Sequence, residues 1–211
     1  MAQIFFRSSE LSSGSAQPSS RRDGTATANE MTDSIDRIYQ RLLVLRCQTG
    51  DERAFAELVD RYDVRLRRFV GGLLGDPHAS EDVLQDVWLD VWRTIGRLRD
   101  PEALEAWLFR IARDRVYRLL RRRRLPLQAI EGIEVADAAE IELDADERRK
   151  IATSVDRLPT EQREVLLLRF VEQLSYEQIA AAVGCELGTV RSRLHYGKRA
   201  LKELIERNGH E

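Results

Sequence analysis

From Phe55 onward the apolar residues recur every third or fourth position: Phe55, Leu58, Val59, Tyr62, Leu66, Phe69, Val70 and Leu73. That spacing puts them on one face of a helix. A second helix, 78–96, carries Val83, Leu84, Val87, Trp88, Val91, Trp92 and Ile95 inward. Gly75-Asp76-Pro77 separates the two, since glycine ends a helix and proline suits the start of the next. Asp100-Pro101 caps a third helix. It runs from 102 into an arginine cluster, with Leu104, Trp107, Leu108, Ile111, Ala112, Val116 and Leu119 as its apolar arc and Pro126 as its stop. Trp107 reads as core. Residues 34–46 form a further short helix through Ile35, Ile38, Leu42 and Leu45. No segment alternates with the period of two that a half-buried strand shows, so the expected fold class is all-α.

A second helical block follows at about 148–207. Pro159-Thr160-Glu161 opens one helix, with Val165, Leu166, Leu168 and Phe170 among its apolar residues. Ser175-Tyr176-Glu177-Gln178 is a capping box, in which Ser caps forward and Gln reaches back. The helix it starts, 176–183, stops at Gly184, and a longer helix begins near Gly188. A short helix, a glycine turn and a basic helix, at about 175–194, make a helix-turn-helix pattern.

The formal net charge of −2 hides strong segregation. Residues 110–124 hold eight arginines against one acid, net +7; residues 127–147 hold eight acids and no base, net −8; residues 191–202 hold five bases and no acid, net +5. Two basic runs on helical patterns point to a polyanionic partner. The acidic stretch, 126–149, carries no helical stripe and reads as a linker. It is expected to mimic nucleic acid and cover part of the Arg110–Arg124 face in the free protein. Residues 1–33 lack periodicity, are rich in Ser, Gln, Ala and Arg, and read as a disordered tail; Met31 is a second candidate start. Neither a membrane-spanning run nor the apolar core of a secretory leader is present. Cys47 and Cys185 stand far apart with no CxxC partner. This excludes a disulfide framework and a Cys-only zinc site, and suits a reducing cytoplasm. No metal cluster, cofactor motif or nucleophile–base pair is expected.

Three surfaces stand out. In a helix-turn-helix the start of the second helix enters the major groove. Val190, Leu194, Gly197, Leu201 and Leu204 share its inward arc. Thr189, Arg191, Ser192 and His195 are therefore candidates for base edges, with Arg193 in the same basic run. Lys198, Arg199 and Lys202, further along, are candidates for phosphates, which position without specifying. On the third helix, Arg110, Arg113, Tyr117, Arg121 and Arg124 form a stripe opposite the apolar arc. Arginines with an aromatic among them suit single strands, whose bases stack on rings and guanidinium planes. On the second helix, Asp82, Gln85, Asp86, Leu89 and Arg93 share an outer stripe in which the apolar Leu89 hints at a protein contact. On these features alone a stand-alone dimeric DNA-binding regulator and an RNA-binding protein remain competing readings.

These residues closely resemble the extracytoplasmic-function group of the sigma-70 family, the initiation factors of bacterial RNA polymerase. Gly50-Asp51-Glu52-Arg53-Ala54-Phe55 and Arg61-Tyr62 look like the opening of region 2. Gly75 to Trp88 resembles the helix that docks on polymerase, and Ala106 to Arg113, running into Arg121–Arg124, the reader of the −10 element. Leu158 to Val165, Leu174 to Ala180 and Gly188 to His195 resemble region 4, which reads the −35 element. The resemblance implies region 2 at 34–125, region 4 at 150–207, and a non-catalytic factor that brings polymerase to promoters and helps open them. Its implied partners are core RNA polymerase (the clamp helices of the largest subunit and, through region 4, the flap), promoter DNA and an anti-sigma factor. The loop Leu98–Pro101 with Arg99, and the Arg110 stripe with Asp114, would meet the −10 element. Asp114 stands where the family commonly has Asn, Arg118 where Asp is frequent, Glu186-Leu187 for Pro-Val, and Gly197 for Ala.

Overall fold

The computed structural model describes residues 23–123, 151 and 153–208, and these are helical with no strand. The tail 1–22, the linker with Arg124, and residues 209–211 lie outside the described residues. The first unit holds four helices: α1 (Asp23–Gln48), α2 (Glu52–Leu74), α3 (Pro77–Thr94) and α4 (Leu104–Arg123). The second holds α5 (Thr160–Leu166), α6 (Tyr176–Val183) and α7 (Leu187–Asn208).

The breaks follow local chemistry. Asp51 caps α2 by accepting from the backbone N–H groups of Arg53 and Ala54 at 3.0 and 3.1 Å. Gly75 ends α2 at φ 69°, a left-handed conformation that a glycine adopts without penalty. The next residue, Asp76, caps α3 through the N–H of Ala79, with Pro77 in the first turn. Asp100 accepts from Glu102 N, but Pro101–Ala103 form a 3-10 turn, so α4 begins at Leu104 rather than 102.

Three further expectations change. α1 starts at Asp23, so residues 23–33, read as tail, are helical. Ile35, Ile38, Leu42 and Leu45, which marked this helix, are exposed; it packs instead through Leu43, Val44 and Cys47. Trp92, expected inward, is 42% exposed and meets the edge of Phe55 at 4.8 Å between centroids. Trp88 is partly buried and donates its indole N–H to Asp63 at 2.9 Å.

The core of the first unit is built from Leu58, Tyr62, Leu66 and Phe69 of α2, Val83, Val87 and Val91 of α3, and Leu104, Leu108, Phe109 and Val116 of α4. It is continuous with Val165, Leu168, Ile179, Val190 and Leu201 of the second. α6 packs along α4, and α5 against α7 and α2. In α6 both halves of the capping box are made, Gln178 N to Ser175 Oγ at 3.1 Å and Ser175 N to Gln178 Oε1 at 2.8 Å. Replacing Ser175 by alanine should cost about 1 kcal/mol of stability. Urea denaturation checks this: a lower midpoint at unchanged slope is expected, and an unchanged midpoint contradicts it.

Candidate nucleic-acid interface

α3 presents Asp82, Gln85, Asp86, Leu89 and Arg93 to solvent, as its spacing predicts. Leu89 is 50% exposed. Asp86 is not an isolated charge, for Arg115 of α4 pairs with it at 2.8 Å and with Asp90 at 2.5 Å. Arg123–Asp76 at 3.0 Å ties the end of α4 to the start of α3, and the Arg115 pairs tie the middle of α4 to the second half of α3. Between them lies a cavity of about 310 Å³ edged by Asp82, Asp86, Arg118 and Arg122. One surface thus joins the α3 acids to the arginine cluster.

The arginine stripe of α4 divides in two. Arg110 and Arg121 are exposed, as is Arg99 in the loop before α4. Arg113 and Tyr117 are covered. Arg113 donates Nε to the Glu164 carboxylate at 2.7 Å, and the Tyr117 hydroxyl donates to the same carboxylate at 2.5 Å. The Arg113 guanidinium lies 4.4 Å from the Tyr117 ring centroid. Asp114 stays exposed, 3.6 Å from Arg113. Glu164, on α5, is fully buried, and loss of water pushes its carboxyl above the usual range despite the hydrogen bonds from Tyr117 and Arg113. Burial, then the bond to Glu164, pushes the Tyr117 hydroxyl up in turn.

A second buried carboxylate repeats the pattern. Arg65 of α2 donates Nε to the Glu172 carboxylate and Nη2 to its backbone carbonyl, both at 3.0 Å. Arg68 approaches the same carboxylate at 3.8 Å. Arg65 also holds Glu105 at 2.7 Å, and Gln178 of α6 reaches Glu105 at 3.5 Å.

On α7, Val190, Leu194, Gly197 and Leu201 face inward as expected, while Arg191, Ser192, His195, Arg199 and Lys202 are exposed and Thr189, Arg193 and Lys198 half-buried. Arg199 and Lys202 pair with Glu203 and Glu206 one turn on, at 3.7 and 3.8 Å. Such exposed pairs contribute little and yield readily to phosphate. Gly197 sits where a Cβ would lie 3.1 Å from a Leu166 methyl, which explains a glycine at the α5–α7 crossing.

Sequence reasoning missed two features. Tyr196 is 50% exposed, edge-on to His195 at 5.4 Å and capped by Arg199, which adds an aromatic platform to the basic face. Its position beside the inward Gly197 gave little sign of this. Glu164 was legible as a carboxylate among the apolar residues of α5, though its partners were not. Among the described residues no His/Cys/Asp/Glu group could hold a metal, and no helix is long and apolar enough to cross a membrane.

Comparison with known proteins matches both units. The family model for Sigma-70 region 2 covers residues 58–125, and that for Sigma-70, region 4 covers 148–201. The chain is 32% identical over 173 residues to the ECF RNA polymerase sigma factor SigE of Mycolicibacterium smegmatis, covering 77% of this chain and 67% of that one. It is 30% identical over 178 residues to the RNA polymerase sigma-H factor of Pseudomonas aeruginosa, covering 78% and 92%. Among solved structures it is similar to the sigma factor RpoE of Bartonella quintana, crystallised with the anti-sigma factor NepR. That match has a TM-score of 0.63 and 28% identity, and covers 72% of this chain and 96% of that one.

Proposed function

The chain belongs to the extracytoplasmic-function group of the sigma-70 family, and from that premise we propose how its surfaces divide the work. As a sigma factor it directs RNA polymerase to promoters for transcription initiation. The unit 34–125 binds core polymerase and the −10 element, the unit 150–207 binds the −35 element and the polymerase flap, and 126–149 connects them. Asp82, Gln85, Asp86, Leu89 and Arg93 face the clamp helices of the largest subunit. Thr189, Arg191, Ser192 and His195 read base edges in the major groove. Arg193, Lys198, Arg199 and Lys202 hold phosphates. Arg99, Arg110, Arg113, Asp114, Tyr117, Arg121 and Arg124 meet the opened −10 strand. The factor itself catalyses nothing: opening is driven by captured bases and strand contacts, while polymerase makes the bonds. It works in the cytoplasm, and an anti-sigma factor is its expected regulator.

The observation that supports this most is the exposed Leu89 within a polar stripe on α3, the helix that resembles the polymerase-docking element. Leu89→Arg should lower affinity for core polymerase at least about tenfold, because a charge is then desolvated in an apolar contact. Pull-down and titration with purified core enzyme check this. Unchanged affinity, with the variant folded, contradicts the assignment.

A further inference from the structure

We propose that Glu164 stands in for phosphate and, with Glu172 as a second tie, latches the second unit over the strand-reading face of the first in the free protein. The inference rests on the reading of Arg113 and Tyr117 as strand-binding residues. A carboxylate among Val165, Leu166 and Leu168 is costly to bury unless paired. Both carboxylates are fully buried, and both find their partners across the two units. Glu164 accepts from the Arg113 Nε–H and the Tyr117 hydroxyl, and the same guanidinium lies over the Tyr117 ring. A phosphate beside an unstacked base would use the same donors.

The backbone is built for this approach. Gly72 of α2 faces Leu167, and a Cβ there would lie 2.8 Å from a Leu167 methyl. The charge of Arg193 on α7 adds a smaller favourable effect on the ionised Glu164.

The latch is made to release. Buried ion pairs roughly break even against the water they give up. Arg68 Nε and Glu172 Oε1, 3.8 Å apart, have no hydrogen-bond partner, so that end is imperfectly satisfied. A strand carrying several phosphates outcompetes two carboxylates at such a site. The free factor thereby ignores stray single strands, and holoenzyme assembly opens it.

The test uses the full chain with donor and acceptor dyes on Val64→Cys and Ala181→Cys, both exposed, in a Cys47→Ala, Cys185→Ser background. Glu164→Gln with Glu172→Gln should lower energy transfer. It should also raise affinity for a mixed-sequence single-stranded oligonucleotide by about tenfold, the size of one released charge-assisted contact. Gly72→Val, which changes no charge, should also lower transfer, while swapping the pair in the otherwise unchanged chain, as Arg113→Glu with Glu164→Arg, should leave transfer above that of the Gln variants. Unchanged transfer in the Gln variants overturns the latch. Lower transfer with unchanged oligonucleotide affinity overturns the masking role. Arg113→Ala in the opened Gln background separates the two ideas: an unmoved affinity there refutes the strand-binding reading, while the transfer data still judge the closure.

Discussion

Arg191→Ala should lower transcription from a promoter carrying the protein's own −35 element by about 5- to 150-fold. Arg191 is exposed in the first turns of α7, where a helix-turn-helix presents side chains to the major groove. A bidentate arginine–guanine contact is worth about 1–3 kcal/mol of discrimination, which sets that range. The loss should fall on one position of the −35 element: changing that base pair in the promoter should cost the wild type much and the variant little. Lys198→Ala serves as the contrast. As a phosphate contact it should weaken all sequences alike and reduce the salt slope by about one. Equal loss on every −35 sequence for Arg191→Ala would move Arg191 to the phosphate class.

The second large effect concerns stability. Phe109 is fully buried, meets Phe69 edge-on at 5.3 Å, and lies under the Arg65 guanidinium at 5.5 Å. Phe109→Ala removes the ring and leaves a cavity at the centre of the first unit, which should cost about 3–5 kcal/mol. Against a total of about 5–15 kcal/mol, that leaves a marginal protein. Arg65 also clamps Glu105 and Glu172, so the damage should spread to the contact between the units. Urea denaturation followed by tryptophan fluorescence measures it. A loss below about 1 kcal/mol would mean that the ring does not carry the core as described.

Much of this was legible from the sequence because the signals are local. Gly75-Asp76-Pro77 and Ser175–Gln178 fix their helix ends through bonds that span three residues, and the structure makes each of them. The exposed face of α3 and the inward arc of α7 follow from one helix's own periodicity. What escaped depends on neighbours. Trp92 has the spacing of a core residue, yet it stays half-exposed beside Phe55. The stripe Ile35, Ile38, Leu42 and Leu45 looks like a packing face, but the shorter set Leu43, Val44 and Cys47 meets α2. Arg113 and Tyr117 belong to an arginine stripe by pattern, and only the placement of α5 shows that Glu164 covers them. The acidic linker, expected to do the covering, lies outside the described residues.

The account stands most directly on reconstituted initiation. Purified full-length protein, added to core RNA polymerase with supercoiled genomic fragments, should yield transcripts whose start points share two upstream elements. Omitting the protein or introducing Leu89→Arg should remove those starts, and Arg191→Ala should weaken those that depend on the upstream element. Transcripts that begin at the same positions whether or not the protein is present would contradict the account.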